Sequence, residues 1–120
     1  MLRKTLVIGA SLNESRYSNI AIHKLKANNH FVEAVGLNKG IIADVIVNTE
    51  RILFENIDTI TLYLSPLNQK KIYNYLVFLK PSRVIFNPGT ENKELENILE
   101  QNGIKTEIAC TLVLLSTNQY

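Results

Sequence analysis

The sequence TLVIGASLNESRYSNIAIHKL, residues 5–25, passes from a short apolar run through one glycine into a helical pattern. Its first part, Thr5–Ile8, is apolar without alternation, as in a strand that is buried on both faces of a sheet. Its last part repeats small and apolar residues at the spacing of one helix face: Ser18, Ala21, Ile22 and Leu25. The segment therefore predicts a strand and a helix, joined by a loop in which Gly9 is the only glycine.

The same order of elements continues along the chain. Further short runs of Val, Ile, Thr, Tyr and Phe predict strands at 31–35, 59–64 and 83–86. Helical spacing follows in two groups, Ile72, Tyr75, Leu76 and Leu79, and then Leu95, Ile98 and Leu99. Strands that alternate with helices are typical of a parallel sheet with right-handed crossovers. We expect one Rossmann-like doubly wound α/β domain over residues 1–120, with a mostly parallel sheet of about five strands and helices on both faces.

Two segments leave their structure open. Between residues 39 and 56, Val45–Val47 fits a short edge strand and Glu50–Glu55 fits a turn of helix. Later in the chain a strand is expected around Glu107, and the apolar run Thr111–Leu115 fits either a strand or a helix. The edges of the sheet are therefore the least defined part of the predicted fold.

The amino-acid composition argues against several classes of binding partner. Hydrophobic residues make up 46% of the chain and charged residues 20%, which is typical of a folded globular domain. The net charge is +2, and the 13 Lys and Arg residues are scattered along the chain, so nucleic acid is not an expected partner. No apolar run reaches the length of a membrane span. Cys110 is the only cysteine, so no disulfide or cysteine zinc cluster can form within the chain, and we expect a cytoplasmic protein.

The candidate binding residues follow from the predicted sheet, because ligands of open parallel sheets bind beyond the carboxyl ends of the strands. They are Gly9, Ala10, Ser11, Arg16, Tyr17 and Ser18, then Asn38 and Lys39, then Leu64, Ser65 and Pro66, and finally Asn87, Pro88 and Gly89. The first group can bind phosphate, because free N–H groups and the dipole at a helix start both favour an anion. Hydroxyls and a guanidinium would then replace the glycine-rich turn of a dinucleotide site.

The residue after the second predicted strand bears on which nucleotide binds. An NAD site has an acidic residue at this place, which accepts hydrogen bonds from the ribose hydroxyls. This chain has Lys39 there. A cation suits an additional phosphate on the ribose, either the 2′-phosphate of NADP or the 3′-phosphate of coenzyme A. The residues by themselves leave these two ligands open.

Taken together, the motifs resemble a known family. The segments LVIGAS, RYS, VGLNKG, TLYLSP, IFNPGTEN and CTLVLL, in this order, are similar to those of the stand-alone CoA-binding-domain proteins. That family shares its fold with the CoA-binding domain of the succinyl-CoA synthetase α subunit. The resemblance covers nearly the whole chain, and RYS and NPGTEN are its most specific pieces. The synthetase loop has a second glycine, whereas this chain has only Gly9.

What the resemblance implies is a site for coenzyme A or an acyl-CoA. The loop 11–18 would wrap around the phosphates, and Lys39 would take the position of the family's lysine after the second strand. The turns 64–66 and 87–89 would line the path of the adenine and the pantetheine. The catalytic histidine of the synthetase belongs to a separate domain, which a chain of 120 residues does not include.

No catalytic constellation is visible in the sequence. His23 and His30 have no carboxylate at a spacing that predicts a dyad. Cys110 fits a buried structural residue better than a thiol that exchanges with the CoA thiol. No Ser-His-Asp pattern and no metal-ligand cluster is present in the sequence. We therefore expect a binding protein that is not an enzyme.

Two other functional classes stay open at this point. One is an NAD(P)-binding module or redox sensor of the same fold. The other is an interaction domain without a ligand, for instance a homo-oligomer, which would need an exposed apolar face such as the run Thr111–Leu115.

Overall fold

The computed structural model describes residues 2–120, and in them a single sheet is flanked by helices. The strands are β1 (Thr5–Ala10), β2 (Val32–Gly36), β3 (Gly40–Ile42), β4 (Val45–Asn48), β5 (Thr59–Leu62), β6 (Arg83–Phe86) and β7 (Lys105–Ile108). The helices are α1 (Tyr17–Ala27), α2 (Pro66–Gln69), α3 (Tyr73–Leu79), α4 (Lys93–Gln101) and α5 (Thr111–Ser116), with a 3₁₀ turn at Lys70–Ile72 between α2 and α3. None of the helices within residues 2–120 has the length and hydrophobicity that a membrane span requires.

The sheet order is β3-β4-β2-β1-β5-β6-β7, and every neighbouring pair is parallel except β3 and β4. The predicted α/β architecture is confirmed, but the sheet has seven strands rather than about five. The additional edge comes from an antiparallel hairpin of β3 and β4, joined by Ala43 and Asp44 with φ values of 47° and 66°. Tight hairpin turns of this kind usually have Asn-Gly or Asp-Gly at the two central positions. The Ala-Asp pair does not match this pattern. The three residues of β3 are also too few to show the alternation that predicts a strand.

Both open segments take a definite form. The expected short strand at Val45–Val47 is found as β4, although β3 and not β4 lies at the edge of the sheet. Glu50–Glu55 is not the expected turn of helix, because the amide of Ile52 bonds to the carbonyl of Glu50 and that of Phe54 to the carbonyl of Ile52. Bonds over two residues form γ-turns, which keep the backbone more extended than a helix does. The run Thr111–Leu115 lies in α5, where Thr111 and Leu115 are buried. The expected strand around Glu107 is β7, which is confirmed.

Two apolar clusters hold the layers together. One joins β1, β5 and β6 to α3 and α4, with Phe86, Leu76 and Leu95 fully buried. The other joins β1, β2 and β4 to α1 and α5, with Ile22 and Leu25 fully buried. Helices therefore cover both faces of the sheet, as predicted, and the carboxyl ends of the central strands lie between the two helical layers.

Gly9 sets the shape of the chain at the end of β1. Its φ is +90°, and a Cβ atom on it would lie 2.6 Å from the carbonyl oxygen of Tyr63. The pairing of β1 with β2 is also irregular between Ile8 and Ala10, so this end of β1 is bulged. From here the chain crosses to β2 on one side of β1, while β5 pairs on the other side. The ends of β1 and β5 thus form the switch point at which doubly wound sheets bind ligands.

Candidate functional site

A cleft of about 760 Å³ lies over this switch point. Its floor is formed by the ends of β1, β2 and β5 and by the residues that follow them. One wall consists of the loop after β1 and the start of α1, and the other of residues from α2 to α3. Thr49 and Arg51, which follow β4, close the cleft at the side of the hairpin. A volume of this size is ordinary for a small-molecule site.

Side-chain amides hold the loop between β1 and α1. The Oδ1 atom of Asn13 accepts hydrogen bonds from the amide and the hydroxyl of Ser15, over 3.0 and 2.7 Å. The buried side chain of Asn19, in the first turn of α1, donates over 2.9 Å to the carbonyl oxygen of Ser11. These contacts fix a loop that has no glycine after Gly9. The sequence did not predict a role for Asn13 or Asn19. Their pairs with neighbouring residues, Asn-Glu and Ser-Asn, are typical of any surface loop.

The start of α1 faces the cleft without a side-chain cap. Arg16 is the N-cap residue in extended conformation, and its side chain makes no capping hydrogen bond. Arg16, Tyr17 and Ser18 all line the cleft. Amides in the first helical turn lack partners within the helix, and the helix dipole adds positive potential to them. This wall can therefore bind an anion such as a phosphate.

The charged side chains of the cleft are all cationic. Arg16 lies on the α1 wall, Arg51 follows β4, and Lys71 comes from the 3₁₀ turn on the opposite wall. No Asp or Glu is among the lining residues in the described part of the chain, and within residues 2–120 none of the three cations is in a salt bridge. The field of the cleft therefore favours a ligand with more than one negative group.

The segment that carries Arg51 is tied to α3. The hydroxyl of Tyr75, a residue only 8% exposed, donates a hydrogen bond of 2.6 Å to the carbonyl oxygen of Ile52. Burial raises the pKa of Tyr75 to about 12, so the hydroxyl keeps its proton at neutral pH. Phe54 packs against the core on the same side of the sheet. An otherwise irregular segment is thus held beside the cleft.

Tyr63 forms part of the floor, and its hydroxyl is buried without a hydrogen-bond partner among residues 2–120. The hydroxyls of Thr61 and Thr111 lie nearby but bond to each other over 2.8 Å. Burial raises the pKa of Tyr63 to about 12. The phenol is therefore neutral at physiological pH and too weak an acid for proton transfer there.

The structure brings only some of the predicted site residues together. Those that line the cleft are Gly9, Ala10, Ser11, Arg16, Tyr17, Ser18, Asn38 and Leu64. Those that do not line it are Lys39, Ser65, Pro66, Asn87, Pro88 and Gly89. The side chain of Lys39 is exposed, and the chain turns into β3 directly after it. Arg51 and Lys71 supply cations at the cleft instead, and neither was among the predicted site residues.

Asn87 has a different place from the one expected. Its buried amide donates to the hydroxyl of Thr61 over 2.7 Å and to the carbonyl oxygen of Leu62 over 2.9 Å. Its Oδ1 atom accepts from the backbone amide of Thr111 over 2.9 Å. Asn87 thus ties β6 to β5 and to the start of α5, and both N–H donors of its side-chain amide are used within the fold.

The residues considered for catalysis lie away from the cleft. His30 accepts a hydrogen bond from the backbone amide of Arg3 over 2.9 Å, at the opposite end of the strands. It lines a second, smaller groove of about 290 Å³ together with residues that include Asn28 and Asn118. His23 is exposed on α1, and Cys110 is a half-buried free thiol. Within residues 2–120 no three His, Cys, Asp or Glu side chains gather as metal ligands.

Comparison with solved structures identifies the fold. An uncharacterized protein of known crystal structure matches with a TM-score of 0.97 and 48% identity, over 100% of this chain and 99% of that one. A Thermus thermophilus protein, cell-free ID.343, matches with a TM-score of 0.88 and 19% identity over 99% of this chain and 91% of its own. Acetyl-coenzyme A synthetase 1 of Ca. Korarchaeum cryptofilum, solved with phosphate and ADP, has a TM-score of 0.71 and 12% identity, over 87% of this chain and 25% of the synthetase.

A search of curated protein sequences found no significant match. The family comparison is positive and covers almost the whole sequence. Residues 3–116 match the profile of the CoA binding domain, which includes β1 and the whole of the cleft lining. The chain belongs to the CoA binding domain family.

Proposed function

We propose that this protein binds coenzyme A or an acyl-CoA in the cleft at the carboxyl ends of the strands, without acting as an enzyme. One observation carries the proposal. In a member of the CoA binding domain family, the cleft at the switch point is lined by Arg16, Arg51 and Lys71 and by no acidic residue of the described chain. A ligand with a diphosphate and a further phosphate fits this distribution of charge.

The residues present fit the parts of such a ligand. The uncapped start of α1, with Arg16 and Ser18, would hold the diphosphate. The residues after β2 would lie beside the adenosine, as they do in other doubly wound sheets. Apolar side chains of the floor and the far wall, Leu64 and Ile72, would pack against the pantetheine arm. An acetyl-coenzyme A synthetase shares the fold, which is consistent with this use of it.

The absence of a catalytic role is part of the proposal. The cleft lining, all of it within residues 2–120, contains no His, Cys, Asp or Glu. The phenols of Tyr63 and Tyr75 have pKa values raised by burial to about 12. A general acid or base works best with a pKa near the pH of the reaction, and neither phenol meets this condition.

A panel of ligands in a thermal-shift experiment tests the proposal. Coenzyme A and acetyl-CoA should raise the melting temperature by roughly 10 °C at about 100 times Kd, because the native state then gains about 2.7 kcal/mol. NAD should give no shift at the same concentration, since the cleft offers no carboxylate for its ribose. Mass spectrometry of the acetyl-CoA sample should show the thioester intact.

The second candidate function is an NADP-binding module, which the cation Arg51 at the side of β2 and β4 favours. The same panel separates the two. A shift with NADP and none with coenzyme A would replace the proposed ligand. No shift with any nucleotide at millimolar concentration would leave an interaction domain without a ligand.

A further inference from the structure

We propose that Arg51, in the segment between β4 and β5, binds the phosphate monoester on the ligand's ribose, the role that the sequence pattern gives to Lys39. The inference rests on the proposed function, because it concerns the same cleft and a nucleotide of the coenzyme A type. In this inference, Arg51 is the residue that distinguishes a ligand with an additional phosphate on its ribose from a ligand without that phosphate.

The register of the sheet brings Arg51 to the end of β2. Strands β2 and β4 run parallel, with Val35 opposite Asn48, so Gly36 at the end of β2 and Thr49 directly after β4 come next at the same edge of the sheet. Both line the cleft, and so do Leu37 and Asn38. Arg51 is two residues beyond Thr49 at this same edge. In doubly wound sheets that bind dinucleotides, the residues here lie beside the adenosine ribose, and an arginine nearby accommodates the 2′-phosphate of NADP.

Lys39 does not have this position. It is exposed, it does not line the cleft, and it directly precedes β3, where the chain turns away into the edge hairpin. The hairpin places β4 next to β2, so that the chain reaches the cleft again only at Thr49. The cation expected after the second strand is therefore supplied after β4.

The positive charges of the cleft lie on separate elements and would favour a ligand with two separate anionic groups. Arg16 and the start of α1 make one cationic position, and Arg51 makes another on a different element. Arg51 forms no salt bridge with any residue of 2–120, so its guanidinium is available. A guanidinium can donate two parallel hydrogen bonds to a phosphate, which a lysine cannot do.

The backbone next to Arg51 is held in place by a hydrogen bond, and a specific contact with a ligand requires such a fixed position. The hydrogen bond from Tyr75 to the carbonyl oxygen of Ile52 fixes the backbone next to Arg51. Tyr75 also lines the cleft; burial raises the pKa of its hydroxyl, and the positive charge of Arg51 opposes this rise. Arg51 is therefore an exposed residue next to a backbone that is held in place.

Two matched variants, Arg51→Gln and Lys39→Gln, test the assignment by isothermal titration with coenzyme A and with 3′-dephospho-CoA. Both residues are exposed, so both variants should fold like the wild type. Arg51→Gln should weaken coenzyme A about tenfold, since a charge-assisted contact is lost, and should change 3′-dephospho-CoA by less than about twofold. Lys39→Gln should change either ligand by less than about twofold.

The outcomes separate this inference from the proposed function. An equal loss of both ligands in Arg51→Gln, or a selective loss of coenzyme A in Lys39→Gln, would overturn the assignment while coenzyme A binding stands. If the wild type binds neither ligand, the proposed function is wrong and the assignment is wrong with it.

Discussion

Replacement of Gly9 by alanine should lower the free energy of unfolding by about 3 kcal/mol, the sum of backbone strain and steric overlap. The φ of +90° at Gly9 is a conformation that alanine rarely adopts. The added Cβ would also lie 2.6 Å from the carbonyl oxygen of Tyr63, a backbone atom that cannot rotate away. β1 and the residues after β5 would have to separate at the floor of the cleft. Urea unfolding followed by circular dichroism measures the change.

Gly89 provides the matched control. Its φ is +89°, nearly the value at Gly9, but a Cβ atom on Gly89 would have no neighbour within 4 Å. Gly89→Ala should therefore cost only the backbone strain, about 1 kcal/mol. Equal losses in the two variants would show that the contact between Gly9 and Tyr63 does not shape the switch point.

Replacement of Asn87 by alanine should be at least as damaging, with a loss of about 4 kcal/mol, because two buried backbone groups lose their partners. The carbonyl oxygen of Leu62 and the amide of Thr111 both bond to the side chain of Asn87. No water reaches them easily, since Asn87 is only 2% exposed. The start of α5 should also loosen from β6, which hydrogen exchange at Thr111 would detect.

Asn68 is the control for this variant. Its side-chain amide bonds to the hydroxyl of Ser65 over 3.2 Å, at an exposed site. Asn68→Ala should change the free energy of unfolding by less than about 0.5 kcal/mol. A similarly small change in Asn87→Ala would contradict the role of Asn87 as a tie between strands and would reopen its side chain as a ligand contact.

The central fold was readable from the sequence because its strands are buried on both faces. Runs such as Thr5–Ile8 and Arg83–Phe86 are continuously apolar or nearly so, and the apolar stripes at Leu76 and Leu95 give their helices a clear period. The edge hairpin was predicted only in part, because the expected strand at Val45–Val47 is found as β4 but β3 and the turn between them were not expected. β3 has three residues, and the turn at Ala43 lacks the glycine that marks most turns of its kind.

The candidate site was readable where a loop directly follows a strong strand. Gly9 to Ser18 and Leu64 were placed by their strands, and the structure puts most of them around one cleft. Arg51 was not readable, because its position depends on the pairing of β4 with β2 and on the hydrogen bond from Tyr75. Both are contacts between distant parts of the chain. Asn87 was read as a ligand contact because a polar residue after a strand looks the same whether it faces a ligand or the sheet.

Lys39 shows that a sequence position typical of a ligand contact can lie outside the cleft. Its position after β2 matches the pattern of a ribose-binding residue, and sequence alone cannot show that the chain turns away at that point. The turn is caused by the hairpin, whose only local marker is Gly40 at the start of β3. The position of a residue after a strand therefore predicts which part of the fold it lies in, but not whether its side chain faces the cleft.

An NMR titration of backbone amide signals with coenzyme A tests the site most directly, because it reports both whether the ligand binds and where. If coenzyme A binds in the cleft, the signals of Gly9, Ser18, Gly36 and Arg51 should shift together and saturate. The signals of the smaller groove, at Asn28, His30 and Asn118, should stay unchanged. Saturable shifts confined to the smaller groove, or no saturable shift at all, would contradict coenzyme A binding at the switch point of the sheet.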